Sequence, residues 1–463
     1  MSVYILRMVL NVRMTSASAI DISHLVDNRP IDRWLIGLTV LCALVLVFDG
    51  YDTQAIGYVA PALAKEFNVT KGSLGPVFSA GLIGLLLGSL ICGPAADRFG
   101  RRVVMITATS WFALCAGVTP FAPSLEHLFV LRLLTGLGLG GALPNAVALV
   151  GEYAPKRCRA TMITLTVCGF PIGAAIGGAL ASWIVPHLGW HTVFYIGGAG
   201  PLLVLPALWL KLPESLRILV LRRNCDTQIA AILARMGHPT IAAHRLVSQD
   251  RELGFALMHL FQDRRAVPTL LLWTAFFMNL VTLYFLTNWM PIITNDAGAS
   301  LSEAVLITAM FQVGGTVGAI ALGRLIDWLS AHGVLGASFF GAALLIAAMG
   351  IAGNSFAVLA TLSFGAGFCV VGSQIGANAL ASTFYPAAAH ATGIGWALGI
   401  GRLGAIAGPL LGALIVARDW STATVFVLGA IPSICASIAI LAMGLVWAAQ
   451  GAGSPNRSSA LSD

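Results

Sequence analysis

Two carboxylates, Asp49 and Asp52, stand three residues apart inside a long apolar run. Spaced i, i+3, they share one face of a helix. A charged group at the centre of a bilayer costs about 2.5–3.5 kcal/mol on insertion scales. Two on one face therefore call for a wet cavity, a basic partner or a raised pKa. Arg132 and Arg402 are the two cations that also sit within apolar runs. Carboxylates that exchange protons, near guanidiniums that hold anions, have the makings of coupled binding rather than of hydrolysis.

The surrounding composition sets the scaffold. Of 463 residues, 58% are hydrophobic and 10% charged, and the mean hydropathy is +0.87. Soluble domains average roughly 25% charged residues. So little charge cannot cover a water-facing surface, which excludes soluble, disordered, fibrous and disulfide-rich secreted classes. An all-α polytopic membrane protein remains. The 51 glycines fit it, because small residues let membrane helices approach closely. The eight cysteines lie mostly in apolar runs without metal-ligand spacing. His187 and His191 flank Gly189, a loop signal, so no metal site is expected.

Twelve segments have the length of a membrane helix: 34–59, 74–92, 103–120, 125–149, 160–185, 192–210, 267–293, 302–322, 336–352, 356–383, 392–417 and 423–448. They predict a tail (1–33), a six-helix bundle (34–210), a linker (211–266), a second bundle (267–448) and a closing tail (449–463). Lys65, Lys71 and Arg418 fall in loops of one side, and the other loop and tail cations fall on the opposite side. The positive-inside rule makes that basic side cytoplasmic, with both termini and the linker. The net charge of +7 is thus topological, and no nucleic acid is needed to explain it. Residues 1–13 make no convincing signal peptide or span, and Met14 is an alternative start.

Counting about 1.5 Å per residue puts Asp49 and Asp52 roughly 22–27 Å from the cytoplasmic edge and Arg132 about 10 Å in from the outer one. The levels are close enough for an ion pair between helices 1 and 4. Arg402 comes out roughly 15 Å deep, near the midplane.

The halves repeat. Gly93-Pro-Ala-Ala-Asp97-Arg98-Phe-Gly100-Arg101-Arg102 follows helix 2, and Gly323-Arg324-Leu-Ile-Asp327 follows helix 8. Glu152-Tyr153-Ala-Pro155 before helix 5 has its counterpart in Phe384-Tyr385-Pro386 before helix 11. Two related six-helix halves around a central site suit alternating access.

The Gly93–Arg102 loop and its degenerate copy resemble the signature of the major facilitator superfamily. Asp49–Asp52, Arg132–Asn145 and Ala391–Arg402 are similar to segments of its aromatic acid:H+ symporter family, in the manner of hydroxybenzoate, protocatechuate and benzoate permeases. The similarity runs from about Asp32 to Arg418. It implies uptake of a small aromatic carboxylate with protons across the bacterial inner membrane, with no cofactor beyond the proton gradient, by a functional monomer. His390 departs from the arginine common in the family.

On that resemblance Asp49, Asp52, Arg132 and Glu152 serve proton coupling, a structural ion pair being the alternative. Arg402 holds the substrate carboxylate bidentately, with structural pairing as its alternative. Tyr51, Tyr284, Asn288, Trp396, Gln312, Gln374 and Asn378 are expected to line the ring site. Gly93, Asp97, Arg98, Gly100, Arg101, Arg102 and Asp327 form a cytoplasmic latch in which the arginines pair with the neighbouring bundle. Gly136–Gly141 and Gly399–Gly404 match G-x-G-x-x-G, but within membrane helices they signal packing rather than nucleotide binding. Gly169–Gly178 and Gly404–Gly412 resemble an antiporter signature and keep proton-driven efflux as the alternative function. An enzyme is not expected, since neither H-E-x-x-H nor G-x-S-x-G occurs.

Overall fold

In the computed structural model, residues 20–27, 29–222, 225–236, 246–247, 260–261, 265–385, 390–418 and 420–452 are described. For Asp327 and His390 the backbone is described and the side chain is not. Residues 1–19, much of the linker and residues 453–463 lie outside the described residues, and the choice between Met1 and Met14 lies there too.

Twelve helices are long and apolar enough to cross a membrane. The first six are α1 (Arg33–Glu66), α2 (Lys71–Phe99), α3 (Arg101–Phe121), α4 (Leu125–Tyr153), α5 (Arg159–Leu188) and α6 (Trp190–Lys211). The second six are α7 (Ala266–Asp296), α8 (Leu301–Ile326), α9 (Ala331–Met349), α10 (Phe356–Phe384), α11 (Thr392–Val416) and α12 (Thr422–Ala449). The count of twelve agrees with the sequence. Several helices overrun the predicted apolar spans, because backbone hydrogen bonding does not stop where hydrophobicity does. α1, predicted over 34–59, runs on through Pro61 to Glu66. α5 breaks at Cys168, where Pro171 supplies no N–H to the helix ladder.

Local chemistry sets the helix starts. Asp32 caps α1 by accepting from the Leu35 N–H at 2.9 Å. Partial burial pushes the Asp32 carboxyl up, but Arg29 and the Leu35 N–H outweigh it and hold it below the usual range. Ser300 and Glu303 form a reciprocal capping box on α8. Gly100, at φ 104°, turns the chain between α2 and α3 in a conformation other residues rarely adopt.

Both halves use one packing plan. α1 packs on α5, α2 on α4 and α3 on α6; α7 packs on α11, α8 on α10 and α9 on α12. Between the halves, α2 meets α11, α5 meets α8 and α1 meets α7. This is the pairing expected of a two-fold repeat. Glycines line the inner seams. A side chain at Gly84 or Gly88 of α2 would strike the α4 backbone, and one at Gly314 or Gly318 of α8 would strike the α10 backbone. Gly136 and Gly140 of α4 lie against α2, and Gly404 of α11 lies against α7, so both G-x-G-x-x-G matches serve packing.

The connecting segments are more than polar spacers. Leu216, Leu219, Ile229, Ile232 and Leu233 of the linker join Val26, Leu35 and Leu38 in one core beneath the first bundle. Two short linker helices, Leu216–Leu221 and Asp226–Arg235, present these side chains. Ile20–Asp21 makes a two-residue parallel bridge with Leu246–Val247.

The end bearing these segments and the α2–α3 turn is the basic end. Among the described residues, side-chain contacts between bundles run from mid-depth to the opposite, far end. Lys71 pairs with Asp296 at 2.6 Å, Ser302 donates to the Ser182 carbonyl at 2.6 Å, and Ser79 donates to the Ile406 carbonyl at 3.0 Å. Phe78 meets Trp289 edge-on at 5.2 Å. Towards the basic end, a side chain added at Gly93, Gly323, Gly395 or Gly399 would meet nothing within 4 Å. Among the described residues, the side-chain hydrogen bonds and ion pairs that join the bundles thus lie from mid-depth to the far end.

The seams give a stability test. Gly173 of α5 lies against the Val47 backbone of α1, whereas Gly37 has nothing within 4 Å. Gly173→Val should cost at least about 2 kcal/mol through overpacking and lower the melting midpoint of the detergent-purified protein, while Gly37→Val leaves it nearly unchanged. Equal midpoints for the two variants would contradict the seam.

Candidate functional site

Asp52 of α1 and Arg132 of α4 meet, Oδ2 to Nη1 at 3.1 Å, at the similar levels that the residue count gave. They are 1% and 3% exposed. Arg132 also donates from Nη2 to Thr119 Oγ1 at 2.6 Å and Thr135 Oγ1 at 3.4 Å, and it lies 4.6 Å over the Phe194 ring. The guanidinium is thus fixed by a carboxylate, two hydroxyls and an aromatic face. Asp52 Oδ1 and Arg132 Nε are buried without hydrogen-bond partners among the described residues, so the site has unused capacity to take up a proton or an anion.

Asp49 lies one turn from Asp52, buried, accepting from Thr53 Oγ1 at 3.2 Å. Arg402 of α11 crosses the bundle boundary. Its Nη1 donates to Ser89 Oγ, and to the Leu85 carbonyl of α2 at 3.4 Å. Asp49 and Tyr284 are within electrostatic reach of Arg402. A cavity of about 20 Å³, room for little more than a water, lies beside the Asp52–Arg132 pair, and neither Asp49 nor Arg402 is among its lining residues. Asp52, Thr53, Leu85 and Arg132 line it from the first bundle, and Tyr284 and Asn288 from the second. Residues from α1, α2, α4 and α7 therefore converge on one space between the halves.

Other expected positions lie elsewhere. Tyr51 is buried inside the first bundle, with Gly177 of α5 and Gly197 of α6 against its ring and its hydroxyl donating to the Val193 carbonyl at 2.9 Å. One residue from Asp52 is about 100° around a helix, which turns Tyr51 away from the cavity. Trp396 was expected as a wall beside Arg402. It is 40% exposed and stacks on Trp273 at 5.8 Å, since six residues turn the side chain about 240° from Arg402. Gln312 is buried in α8, and neither it nor Gln374 nor Asn378 is among the cavity's lining residues. Gln374 accepts from Asn279 at 2.8 Å, and Asn378 lies one turn along from it on α10.

The basic-end residues assemble differently from the expected latch. Glu152, expected among the coupling groups, lies at the basic end of α4 and pairs with Arg101 at 2.8 Å. Arg102 donates from Nη2 to the Trp209 carbonyl, and its backbone N–H donates to Glu214 Oε1 at 3.2 Å. Arg222 donates to the Arg98 carbonyl. These contacts stay within the first bundle and its linker, whereas the arginines were expected to reach the neighbouring bundle. Among the described residues, none of the partners in these contacts belongs to the second half. Asp97 is exposed and has no ion pair among the described residues. Gly93 stands in open space. Gly100 lies against the Glu214 carboxylate, which therefore closes over the N-terminus of α3. Sequence reading passed over Glu214 by treating 211–266 as linker. The signal was Ser215, an N-cap directly before the apolar Leu216–Leu221 helix. Thr119, Phe194 and Ser89 were also missed, since nothing in their local sequence marks contact with an arginine on another helix.

No cluster of three or more metal-ligating side chains occurs among the described residues. The antiporter-like stretches are packing surfaces here: Gly169 and Gly173 lie on α1, and Gly404, Gly408 and Gly412 lie on α7.

The Major Facilitator Superfamily model matches residues 42–335 and 272–461. The chain belongs to that superfamily. It is 41% identical over 429 residues to a gallate transporter of Pseudomonas putida, covering 92% of this chain and 95% of the relative. It is 37% identical to the 4-hydroxybenzoate transporter PcaK of Pseudomonas aeruginosa, covering 94% and 98%. The fold also superposes on the xylose transporter XylE of E. coli in a partially occluded inward open conformation, with a TM-score of 0.71 at 18% identity, covering 88% of this chain and 97% of that one. The protein is a multi-pass membrane transporter whose relatives carry aromatic acids.

The central pair sets a second test. Removing one partner of a buried ion pair leaves an uncompensated charge, at a cost of about 3–5 kcal/mol. Arg132→Gln should therefore destabilise strongly, and adding Asp52→Asn should restore part of the loss in a thermal-melt double-mutant cycle. Strictly additive effects would mean that the two groups are not coupled.

Proposed function

We propose that this transporter imports a monocyclic aromatic carboxylate, of the benzoate or hydroxybenzoate type, together with protons. The termini and the basic end face the cytoplasm, and the membrane is the bacterial inner membrane. The observation that carries this reading is the buried charge cluster at the bundle boundary, where Asp52 of α1 pairs with Arg132 and Asp49 lies within electrostatic reach of Arg402 from the other half.

An aromatic acid is an anion at neutral pH and needs a compensating charge once it leaves water. Arg402 supplies one. Only its Nη1 is engaged by α2, so Nε and Nη2 remain to hold a carboxylate side by side. Tyr284 and Asn288 give that part of the site an aromatic edge and an amide. Asp49 and Asp52 take the coupled proton. A proton on Asp52 removes its attraction for Arg132, so the grip between α1 and α4 weakens when the carboxylate is neutral. Relatives named for gallate, 4-hydroxybenzoate and benzoate transport support the substrate class. The cross-bundle contacts towards the far end support a cytoplasm-facing stage of an alternating-access cycle.

Uptake of labelled 4-hydroxybenzoate by whole cells tests the reading, and an uncoupler should abolish accumulation. Arg402→Lys keeps the charge but loses the planar fork, and should weaken binding about tenfold. Arg402→Ala should weaken it by about 2–5 kcal/mol. Asp52→Asn should abolish accumulation while the protein still reaches the membrane. Accumulation that survives the uncoupler, or binding indifferent to both Arg402 variants, would overturn proton-coupled carboxylate import.

The exposed Asp97 carries a separate expectation. It is far from the cavity, so Asp97→Asn should lower the maximal uptake rate and leave the apparent affinity within about twofold, as for a residue outside the binding site. A change confined to affinity would place Asp97 in the binding path.

A further inference from the structure

Asn279 of α7 faces a stripe of α10 formed by Val370, Gln374 and Asn378, spaced i, i+4, i+8. From Nδ2 it donates to the Val370 carbonyl at 3.3 Å and to Gln374 Oε1 at 2.8 Å. An amide nitrogen has two hydrogens, and both are used. The orientation is thereby fixed, because a reversed amide would set its oxygen against the Val370 carbonyl. Asn279 Oδ1 is left as an acceptor without a partner among the described residues, on a side chain 1% exposed. Asn378 Oδ1, one turn along the stripe, is a second buried acceptor without a partner. Between them Gln374 has committed its oxygen to Asn279, so its Nε2 hydrogens remain free to donate.

Buried acceptors of this kind are costly to leave unmet. A group that meets either of them donates one hydrogen to that Oδ1 and can accept from the Nε2 that lies between the two. A hydroxyl does both. A carboxylate only accepts, and an unsubstituted ring edge does neither. By helix count, Asn279 lies about 20 Å from the start of α7 and Arg402 about 15 Å from the start of α11. α7 packs on both α10 and α11. The stripe and the guanidinium thus occupy neighbouring helices at similar depth.

We propose that Asn279, Gln374 and Asn378 read a ring hydroxyl of the substrate, so that the transporter selects hydroxylated aromatic acids over benzoate. This rests on the aromatic-carboxylate reading above and narrows it. A site built to hydrogen-bond a hydroxyl discriminates strongly against the analogue lacking it.

The test is competition binding of 4-hydroxybenzoate and benzoate to the purified full-length protein. Wild type should favour 4-hydroxybenzoate by about tenfold or more. Asn279→Leu and Asn378→Leu should each bring the ratio towards one by weakening 4-hydroxybenzoate, with benzoate held within about twofold. A parallel loss of both acids would mark Asn279 as a helix-packing residue and overturn the proposal, as would an unchanged ratio in both variants. A wild type indifferent to the hydroxyl would overturn it while leaving aromatic-acid transport standing. Binding of neither acid would overturn both. Should Asn279→Leu fail to fold, Asn378→Leu and Gln374→Leu carry the same ratio test with the same outcomes.

Discussion

A carboxylate and a guanidinium held out of water in the middle of an apolar bundle set the terms for everything around them. Desolvating such a pair costs several kcal/mol per ion, and attraction offsets this only with good geometry and further hydrogen bonds. Asp52 and Arg132 obtain both because α3, α4 and α6 converge on them through Thr119, Thr135 and Phe194. That convergence depends in turn on the glycine seams, which bring helix backbones into direct contact and leave the larger side chains to define the cavity.

The repeat extends those seams to the second half. The α2–α4 and α8–α10 seams are equivalent, yet the first half places an ion pair beside its seam and the second places amides and hydroxyls. Charge chemistry and neutral hydrogen bonding are thus divided between the halves, and Arg402 is the cation that reaches from the second towards the first.

Much of this was legible in the sequence. Twelve apolar runs gave the helices, and the depth count from Trp34 brought Asp52 level with Arg132 because helix rise is nearly constant. Helix phase was harder to read. Tyr51 and Trp396 lie close in sequence to Asp52 and Arg402 but point elsewhere, and without a known neighbour for each face nothing local says which way is inward. The first-bundle role of Glu152 was hidden because its partner Arg101 is 51 positions away. The linker read as polar spacer because the apolar residues of Leu216–Leu221 and Asp226–Arg235 are diluted by charge, although they close the base of the first bundle. Asn279 could be noticed as a polar residue in helix 7, but its fixed amide orientation exists only once α10 lies against it.

The contacts that tie the halves together begin near mid-depth and continue to the far end. Each bundle is internally close-packed, so a turn of one against the other would carry it as a stiff lever. A helix of 25 residues is about 38 Å long, so a tilt of about 10° around its middle moves each tip by about 3 Å. The arginine, carboxylates and amides sit near the fulcrum and move least. A small angular change thus becomes a full side-chain width of clearance at the mouth, while distances between the groups that would grip a ligand stay within hydrogen-bonding tolerance.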